Sequence, residues 1–521
     1  MNNKKSLELS LSPEIAADVI SVEKLVRNLL RIDVADRVDI VKIKRSIDAR
    51  SRHPVIRLTL DVYINEDPPA IESIRENYKS VSDNKKVIIV GAGPAGYFAA
   101  LELIEHGFKP VIFDRGRNVR DRRKDLRAIQ QFGEVNPDSN YCFGEGGAGT
   151  YSDGKLYTRS HKRGDIYKAL KILVEHGAKS EILIDTHPHI GSNKLPEVVQ
   201  NLRETILHYG GEINFNSRVT DIIIKDKEII GVIVNDAEEH FADSVILATG
   251  HSARDIFYLL KSKNILTEQK PFAMGVRIEH PQGLIDEIQY KQNPRSEFLP
   301  ASSYKLTAQV EGRGVFSFCM CPGGLIVPAA TAPGEIVVNG MSMSRRDSKY
   351  ANSGIVVAVE KEDLKEFEHY GEFSGLEYQK QSEHNFFEAG DGSQKAPAQR
   401  MTDFVKGKVS KDLSGTSYIP GIYSSDLDKL LPAEISERIK AALIEFGKKM
   451  KGYFTEEGIL IGLESRTSSP VRIPRDKISY QHPEIKNLYP CGEGAGYAGG
   501  IISAALDGQN TAKAIINKYN Y

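Results

Sequence analysis

The stretch Lys86-Val-Ile-Ile-Val-Gly-Ala-Gly-Pro-Ala-Gly96, read with Val111-Ile-Phe-Asp114, decides the fold. A β-branched run enters a Gly-x-Gly-x-x-Gly motif, an apolar helical stretch follows, and a second strand ends on an acid 18 residues after the third glycine. Gly91 suits a tight turn, Gly93 lets a pyrophosphate approach the backbone, and Gly96 lets the helix pack on the sheet. The helix N-terminus offers free N–H groups, and the terminal acid can accept from a ribose hydroxyl. The stretch therefore predicts a dinucleotide site without saying which dinucleotide.

Composition and charge describe an ordinary soluble chain. Its 521 residues are too many for one core, so we expect two or three domains. A net charge of −1 gives no reason to expect nucleic acid or an anionic membrane as partner. Four cysteines do not make a disulfide scaffold, the first residues lack the apolar core of a secretory signal, and no run reaches the roughly 18 apolar residues of a membrane span. These observations predict a cytoplasmic protein.

The first 75 residues are predicted to form a small α+β domain. Alternating or β-branched residues predict strands at 6–12, 38–43 and 55–64, and apolar residues at helical spacing predict a helix over 13–30. The polar residues from 66 to 84 indicate a linker.

The rest of the chain divides by pattern. Residues 76–270 carry the dinucleotide motif, a helix at 195–209, a hairpin at 219–234 and an apolar strand ending near 250. Residues 271–464 carry short strands separated by polar turns, which predict a mostly antiparallel sheet, together with helices at 376–388 and 432–453. A glycine-rich segment follows in residues 465–521.

Three later segments favour FAD over NAD as the dinucleotide. The stretch Phe143-Gly-Glu-Gly-Gly-Ala-Gly-Thr-Tyr-Ser-Asp-Gly-Lys155 lets backbone approach a ligand, and Ala248-Thr-Gly250 lies at a strand end. Residues 489–508 add a strand end with Glu493 and glycines that open a helix, whose N-terminus can face a flavin carbonyl. A return to the cofactor at the end of the chain is expected of FAD proteins and not of NAD dehydrogenases.

On these residues the chain resembles the glutathione-reductase-type flavoproteins. More narrowly, it resembles a widespread bacterial family of FAD-dependent dehydrogenases or FAD-binding proteins of unknown substrate. The succession of parallel strand, β-meander and parallel strand is the way such FAD domains are built. The resemblance runs nearly end to end, and its other matching segments are Lys44-Arg-Ser-Ile-Asp-Ala-Arg50 and residues 144–155, 249–255, 272–281, 318–324 and 464–472.

The resemblance implies an α/β fold: a Rossmann-like FAD-binding domain, an inserted and mainly antiparallel substrate domain, and a small N-terminal α+β domain. The expected boundaries are 1–75 for the N-terminal domain, 76–270 and 465–521 for the FAD domain, and 271–464 for the substrate domain. By analogy with the family, FAD contacts are expected at Gly91, Gly93, Ala95, Gly96, Asp114, Arg115, Gly116, Gly147, Val219, Thr249, Gly250, Gly492, Glu493, Gly500 and Ile501.

Two features of the pyridine-nucleotide disulfide reductases are missing from the sequence. There is no second glycine fingerprint in mid-chain, and no Cys-x-x-x-x-Cys near the first helix of the motif. We therefore expect no dedicated NAD(P) domain. If NAD(P)H is the electron donor, it has to bind transiently at the flavin face.

Cys319 and Cys321 end an apolar strand just before a Pro-Gly-Gly turn. Residues i and i+2 of a regular strand share a face about 6.6 Å apart, near the upper limit for a disulfide. The functional interpretation is a redox pair or a thiol near the flavin. The alternative is a pair of small buried apolar residues, since free cysteine is among the most buried residue types.

Arg466 lies in a segment, residues 464–472, that is dense in hydroxyls and guanidinium groups. It can grip a substrate carboxylate in a bidentate fashion or stabilise negative charge on a reduced flavin. The alternative is a salt-bridged surface loop in which Glu464 pairs with Arg466 or Arg472.

His251 and Lys155 complete the set of candidate catalytic residues. His251 follows a strand end at Gly250 and has a side chain suited to acid–base chemistry near neutral pH, although a structural hydrogen bond is the alternative role. Lys155 ends the glycine-rich loop and can reach flavin or substrate, unless Asp153 neutralises it as a local ion pair.

The sequence thus predicts an FAD-dependent oxidoreductase that carries out two-electron hydride transfer through a tightly bound FAD on an unidentified small molecule. Two other functions stay open: an FAD-containing RNA-modification or RNA-binding protein, which the near-zero charge disfavours, and a non-catalytic flavin-binding sensor or assembly protein. No metal is predicted, because the two histidines at 187 and 189 are by themselves an inadequate set of ligands. The oligomeric state is not indicated.

Overall fold

The N-terminal residues form a three-stranded antiparallel sheet covered by two short helices. The computed structural model describes residues 4–70, 72–82, 84–158 and 163–520. The elements of this unit are β1 (Lys4–Leu11), α1 (Pro13–Ala17), α2 (Val19–Leu30), β2 (Val38–Asp48) and β3 (Val55–Ile64), with the sheet order β1-β3-β2. Leu58, Leu60 and Val62 alternate along β3 and form one buried cluster with Val22 and Val26 of α2. Side chains on one face of a strand recur every second residue, and those on one face of a helix recur about every 3.6 residues. The apolar faces of β3 and α2 therefore pack together as the core of this unit.

The single helix predicted over residues 13–30 is wrong, because the chain breaks at Asp18. That residue has extended dihedral angles (φ −92°, ψ 108°) and ends α1. Its carboxylate then accepts hydrogen bonds from the N–H groups of Ile20 and Ser21 at the start of α2. An aspartate at an N-cap satisfies N–H groups that a continuous helix would have satisfied internally.

The predicted linker is packed against the next unit. Residues Ile74–Asn77 form a 3-10 turn, and Ile74, Tyr78 and Val81 are buried in the core that follows. Within the N-terminal unit, Arg45 of β2 forms a bidentate ion pair with Asp185 at 2.6 and 2.9 Å, and its backbone N–H donates to the carbonyl oxygen of Ile184. The β2 edge of the N-terminal sheet therefore contacts the segment around Asp185.

A five-stranded parallel sheet carries the glycine motif. Its strands are β4 (Lys86–Val90), β5 (Lys109–Phe113), β6 (Glu212–Asn214), β10 (Ser244–Leu247) and β22 (Leu488–Pro490), in the order β22-β10-β4-β5-β6. Because β22 pairs with β10, the last part of the chain returns to the sheet that the motif began. Helices and a side sheet complete this unit: α3 (Pro94–Glu105), α4 (Val119–Phe132), α5 (Ile166–Glu175), α6 (Leu195–His208), α7 (Arg254–Ser262), α13 (Ile501–Asn520), and β7 (Val219–Lys225), β8 (Glu228–Val234) and β9 (Glu238–Phe241).

Helix α13 lies against α3 at a distance that only glycine permits. A Cβ atom on Gly508 of α13 would lie 2.1 Å from the carbonyl oxygen of Ala95 in α3. On the other side of α3, a Cβ atom on Gly96 would lie 2.0 Å from the carbonyl oxygen of Gly91. Helix α3 is thus held between the glycine turn and the last helix of the chain without room for a side chain at either point.

The remaining unit is built on a seven-stranded sheet that is antiparallel except for one pair. Its order is β13-β14-β17-β12-β20-β18-β19, and the exception is the parallel pair β18–β19. The strands are β12 (Phe272–Pro281), β13 (Thr307–Val310), β14 (Arg313–Cys321), β17 (Tyr350–Val359), β18 (Ala396–Arg400), β19 (Ile422–Ser424) and β20 (Ile459–Glu464). Helix α12 (Ala433–Lys449) covers the sheet with Ile435, Ile439, Leu443 and Phe446 in the core.

Shorter elements connect these layers. The helices are α8 (Gln282–Tyr290), α9 (Ser374–Glu388), α10 (Met401–Val405) and α11 (Leu427–Leu430), and 3-10 segments lie at Gly147–Gly149, Ser180–Leu183 and Lys361–Phe373. Two small antiparallel pairs are β15 (Gly324–Pro328) with β16 (Val338–Ser342) and β11 (Glu268–Gln269) with β21 (Val471–Arg472). Within the described ranges, none of the helices is both long and apolar enough to pass through a bilayer.

The contact between α3 and α13 gives a stability prediction. Gly508→Ala should lower stability by about 1–3 kcal/mol, because the new methyl group meets backbone that cannot move without separating the helices. The matched control is Gly283→Ala in α8, where a Cβ atom would meet nothing within 4 Å; it should be neutral or stabilising by up to about 1 kcal/mol. Melting temperatures of the two variants measure the difference, and equal values would contradict the close contact.

Candidate functional site

A cavity of about 380 Å³ lies where the carboxyl ends of the parallel strands face the antiparallel unit. The glycine turn after β4, the end of β5, the glycine-rich loop, the end of β10 and the start of α13 line it from one side, and residues of β14, β16 and the segment after β20 line it from the other. Ligands of open α/β sheets bind at this edge. We call it the FAD cavity, after the cofactor that the sequence predicts.

The turn after β4 is held open by backbone geometry and by one carboxylate. Gly91 has φ 110°, and a Cβ atom there would lie 2.4 Å from the carbonyl oxygen of Ala248. Asp114, at the end of β5, accepts hydrogen bonds from the N–H groups of Ala92 and Gly116, both at 2.8 Å. A carboxylate has about four acceptor positions, so Asp114 can hold the turn and still accept from a ribose hydroxyl.

The glycine-rich loop is anchored from behind by Glu145. This buried carboxylate accepts from the hydroxyl of Tyr97 at 2.9 Å, from the N–H of Val119 at 2.7 Å and from Arg203 at 2.9 Å. Burial raises the pKa of Glu145, and these donors oppose the rise. The anchoring lets Gly147–Gly149 face the cavity, next to the start of α13 at Ile501.

Most of the residues predicted to contact FAD line this cavity. They are Gly91, Gly93, Ala95, Asp114, Arg115, Gly147, Val219, Thr249, Gly250, Glu493, Gly500 and Ile501. Gly96, Gly116 and Gly492 are not among the lining residues. Gly96 packs α3 against the turn, while Gly116 and Gly492 donate backbone hydrogen bonds to Asp114 and Asp507, the latter at 2.7 Å. These three therefore shape the cavity from the layer behind it.

Several lining residues were missed by sequence reasoning. Asn339 lies in β16 and Thr467 follows β20, and both reach the cavity from the antiparallel unit. Arg218 and Asp255 lie near Arg115, whose guanidinium pairs with Asp255 at 2.9 Å. No local pattern marks these positions, because only the packing of segments that are distant in sequence brings them to the cavity.

The residues present fit FAD. Two helices begin at the cavity, α3 after Gly93 and α13 after Gly500, and the N–H groups of a helix start favour phosphate or carbonyl oxygen. Side chains are absent where backbone must come close, since Gly93 and Gly147 face each other so that a Cβ on Gly147 would lie 3.4 Å from the Cα of Gly93. A long, flat dinucleotide suits a cleft lined in this way.

His251 and Glu493 meet inside the FAD cavity. The Nδ1 atom of His251 lies 3.2 Å from Oε2 of Glu493, and both residues line the cavity. His251 follows β10 and Glu493 follows β22, so the pairing of these two strands brings the two side chains together. Such a pair can fix the orientation of the imidazole ring and keep a proton on Nδ1.

The contacts of Arg466 disfavour one of its two predicted roles, the grip on a substrate anion, while the other, stabilisation of negative charge on a reduced flavin, stays a prediction. Its guanidinium reaches the cavity but is committed to Glu383 at 2.8 and 3.0 Å, Glu335 at 2.7 Å and Thr331 at 2.5 Å. Arg254 pairs with the same two carboxylates at 2.8 and 2.9 Å. Burial opposes the ionisation of Glu383, but the two guanidinium groups outweigh it and hold the pKa of that carboxyl well below its usual range.

The alternative, in which residues 464–472 form a salt-bridged surface loop, is wrong because most of this segment is buried. Glu464 pairs with Arg277 at 2.6 Å, and both side chains are almost fully enclosed. Burial raises the pKa of Glu464 to about 7, with Arg277 opposing the rise.

Cys319 and Cys321 do not share a strand face as a regular strand would require. The pairing of β14 with β17 is interrupted between Phe318 and Cys321, and Cys319 has φ 44°. As a result Cys319 faces the FAD cavity while Cys321 is buried. The Sγ of Cys321 donates to the carbonyl oxygen of Cys319 at 3.2 Å, and Arg277 donates to that oxygen at 2.8 Å.

The surroundings of the two thiols shift their pKa values in opposite directions. A hydrogen bond from Cys321 lowers the pKa of Cys319 well below the usual thiol range; burial opposes this, and the positive charges of Lys155 and Arg277 lower the pKa further. The same hydrogen bond, together with burial, raises the pKa of Cys321. These effects favour ionisation at Cys319 over Cys321.

A second, more open cavity of about 790 Å³ adjoins the FAD cavity, and we call it the vestibule. Both cavities are lined by Lys155, Tyr157, Phe318, Cys319, Gly499 and Gly500. The amine of Lys155 donates to the carbonyl oxygen of Met320 and lies 3.7 Å from Asp153, which is itself paired with Arg346 at 2.5 Å. Lys155 and Cys319 thus stand together at the junction of the two cavities.

In the described part of the chain, no three His, Cys, Asp or Glu residues come together as a set of metal ligands. The ring of His187 packs against Tyr157 with centroids 4.9 Å apart, and His189 makes a hydrogen bond to the carbonyl oxygen of Ser344 at 3.2 Å.

Comparison with known families agrees with this geometry. A family model described as "FAD-dependent protein, C-terminal domain-like" matches residues 271–467, and one described as "Pyridine nucleotide-disulphide oxidoreductase" matches residues 85–259. A third, a domain of unknown function, matches residues 3–63.

Two curated proteins are similar in sequence. An "Uncharacterized protein" of Clostridium beijerinckii is 42% identical over 514 residues, which cover 95% of this chain and 94% of that protein. The "Probable fumarate reductase Ifc3" of Shewanella frigidimarina is 29% identical over 194 residues, which cover 32% of each chain.

Among solved structures, CtdE in complex with FAD covers 83% of this chain and 84% of its own at 13% identity, with a TM-score of 0.31. Glycine oxidase from Bacillus cereus covers 84% and 96% at 13% identity, with a TM-score of 0.30. Scores this low carry no argument, so the family rests on the sequence matches. The chain belongs to the bacterial family of FAD-dependent proteins that includes the Clostridium beijerinckii relative, it has the domains of an FAD-dependent oxidoreductase, and its cofactor is FAD.

Proposed function

We propose that this protein carries out two-electron hydride transfer between a tightly bound FAD and a small molecule that enters through the vestibule. The observation that carries the proposal is the junction of the two cavities at Cys319 and Lys155. A cofactor cleft that meets a second, solvent-facing cavity at an ionised thiol offers a place where substrate and flavin can come into contact.

The FAD domain would hold the cofactor by backbone and helix starts. Asp114 would accept from the ribose, Gly91, Gly93 and Ala95 would face the pyrophosphate, and Gly500 and Ile501 at the start of α13 would donate to the flavin. Gly147 would let the ring lie against backbone. The further proposed contacts are Arg115, Val219, Thr249, Gly250 and Glu493, while Gly96, Gly116 and Gly492 would support the site from behind.

When bound, FAD supplies the two-electron acceptor or donor. The chain's own part is to orient the substrate and to move the accompanying proton. Cys319 lines both cavities, and its lowered pKa would favour the ionised form, which would accept a proton from a substrate that is oxidised. Lys155 would stabilise that thiolate, and Cys321, by its hydrogen bond, would position it.

His251 would act as an acid–base group in the FAD cavity, and Glu493, 3.2 Å away, would orient its ring. Arg466 would act as a positioning residue, since its contacts with Glu383 and Glu335 fix the segment after β20 that carries Thr467 into the cavity. If NAD(P)H reduces the flavin, the nicotinamide would have to bind in the vestibule, because the sequence provides no second dinucleotide motif.

Anaerobic titration tests the oxidoreductase function. The purified protein should carry flavin that is released as FAD on denaturation, and NADH, NADPH or one member of a metabolite panel should abolish its oxidised-flavin absorbance within the mixing time of the experiment. Dithionite, which needs no substrate site, is the control for a reducible flavin. A protein that dithionite bleaches, but that no physiological donor reduces, would contradict the proposed activity and favour a sensor.

The ionisation of Cys319 can be measured separately from turnover. Alkylation of Cys319 by iodoacetamide, followed by mass spectrometry across a pH series, should have its midpoint well below the value of about 8.5 for a free thiol. Because the folded-state pKa is lowered, reactivity should persist at neutral pH and fall only as the pH drops through the lowered value. Lys155→Met should move the midpoint upward by removing a neighbouring positive charge.

Lys477→Met is the matched control, because Lys477 is exposed and lies outside both cavities. Its midpoint should equal that of the unaltered protein. A midpoint at or above about 8.5 in the unaltered protein would remove Cys319 as a thiolate at neutral pH.

A further inference from the structure

We propose that the vestibule binds a carboxylate or phosphate group of the substrate, so that the substrate is a small organic anion. The proposal deepens the proposed function and rests on it, because the vestibule matters for catalysis only if the adjoining cavity holds a working flavin.

The charged residues that line the vestibule are all basic. Lys155, Arg163, Lys305 and Arg346 line it, together with His187, whereas none of its lining residues in the described ranges is an aspartate or a glutamate. The whole chain has nearly equal numbers of basic and acidic residues, 69 and 70. A cavity with four cations and no carboxylate therefore departs from the average surface of this protein and favours an anion.

Two of the four cations are already neutralised in part. Asp153, buried between the cavities, pairs with Arg346 at 2.5 Å and lies 3.7 Å from Lys155. Arg163 and Lys305 are exposed, and no carboxylate of a described residue lies within ion-pair distance of either. Toward the described residues, the guanidinium of Arg163 donates one hydrogen bond, to the carbonyl oxygen of Tyr497 at 2.6 Å, and its other N–H groups can donate to a ligand.

The start of α13 adds to the positive potential. Gly499, Gly500, Ile502 and Ser503 line the vestibule, and α13 is a helix of 20 residues that begins at Ile501. Its N-terminal turn carries unpaired N–H groups and the positive end of the helix dipole. The four cations and this helix start thus act on the same space.

The position of these charges fits a substrate that is held at one end. Arg163 and Lys305 line only the vestibule, whereas Lys155 and Cys319 line the vestibule and the FAD cavity. An anionic group held by the first pair leaves the rest of the molecule to reach the thiolate at the junction. Arg466 cannot take this role, because its guanidinium is already bound by two carboxylates.

Calorimetric titration of the FAD-bound protein at low ionic strength tests the inference without requiring turnover. The probes are succinate, its uncharged analogue succinamide, and inorganic phosphate. The test variant is Arg163→Gln with Lys305→Gln. The matched control is Arg120→Gln with Lys477→Gln, which removes the same charge from exposed positions that line neither cavity.

We expect succinate or phosphate to bind, with the stronger of the two identifying the anionic group, and we expect no binding of succinamide. The test variant should bind the anion about fivefold to thirtyfold more weakly, the range that two partly exposed charges supply, and the control should bind it as the unaltered protein does. Added salt should weaken binding.

Equal binding of succinate and succinamide, no binding of either anion, or an equal loss in test and control variants would each overturn the inference. The flavin spectrum of every variant separates this outcome from a failure of the proposed function. Anion binding by a protein whose flavin no donor reduces would leave the vestibule as an anion site and refute the oxidoreductase activity. Reduction by donors with no anion binding would refute the anion site alone.

Discussion

The close packing of α13 on α3 is the constraint on which the FAD cavity depends. Because Gly508 and Gly96 leave no side chain between α3 and its neighbours, the start of the last helix comes to the same cavity as the glycine turn. The pairing of β22 with β10 fixes the same return of the chain through backbone hydrogen bonds. Two helix starts and one set of strand ends then face a single cleft, which is what a dinucleotide with charges and carbonyls along its length requires.

The antiparallel unit contributes buried charge to the opposite wall. Arg277 and Glu464 pair at 2.6 Å in its core, and Arg466, Glu383 and Glu335 form a second cluster at the cavity edge with Arg254 of α7 in the parallel unit. Breaking such a buried pair leaves one ion uncompensated at a cost of about 3–5 kcal/mol, so these clusters fix the wall rigidly. Arg277 also bonds to the carbonyl oxygen of Cys319, which links the core pair to the thiol at the junction.

The sequence predicted what short segments encode and failed where distant segments meet. The glycine turn, Asp114 and the return of the chain at Gly500 each follow from a local pattern with a known mechanical role, so the cofactor and the parallel unit were predictable. The partners of Arg466 lie 83 and 131 residues away, and no spacing rule connects them. The irregularity at Cys319 and the break at Asp18 were missed because hydrophobic periodicity does not register a single residue in an unusual backbone conformation.

The cofactor cleft, the thiol of Cys319 and the basic vestibule would form one path from solvent to flavin. A crystal structure of the FAD-bound protein tests this path most directly. We expect the isoalloxazine ring to lie in the cavity between Gly147 and Gly500, with one edge or face toward Cys319 and open to the vestibule. A ring that lies away from Cys319, or that is sealed from the vestibule by protein, would contradict it.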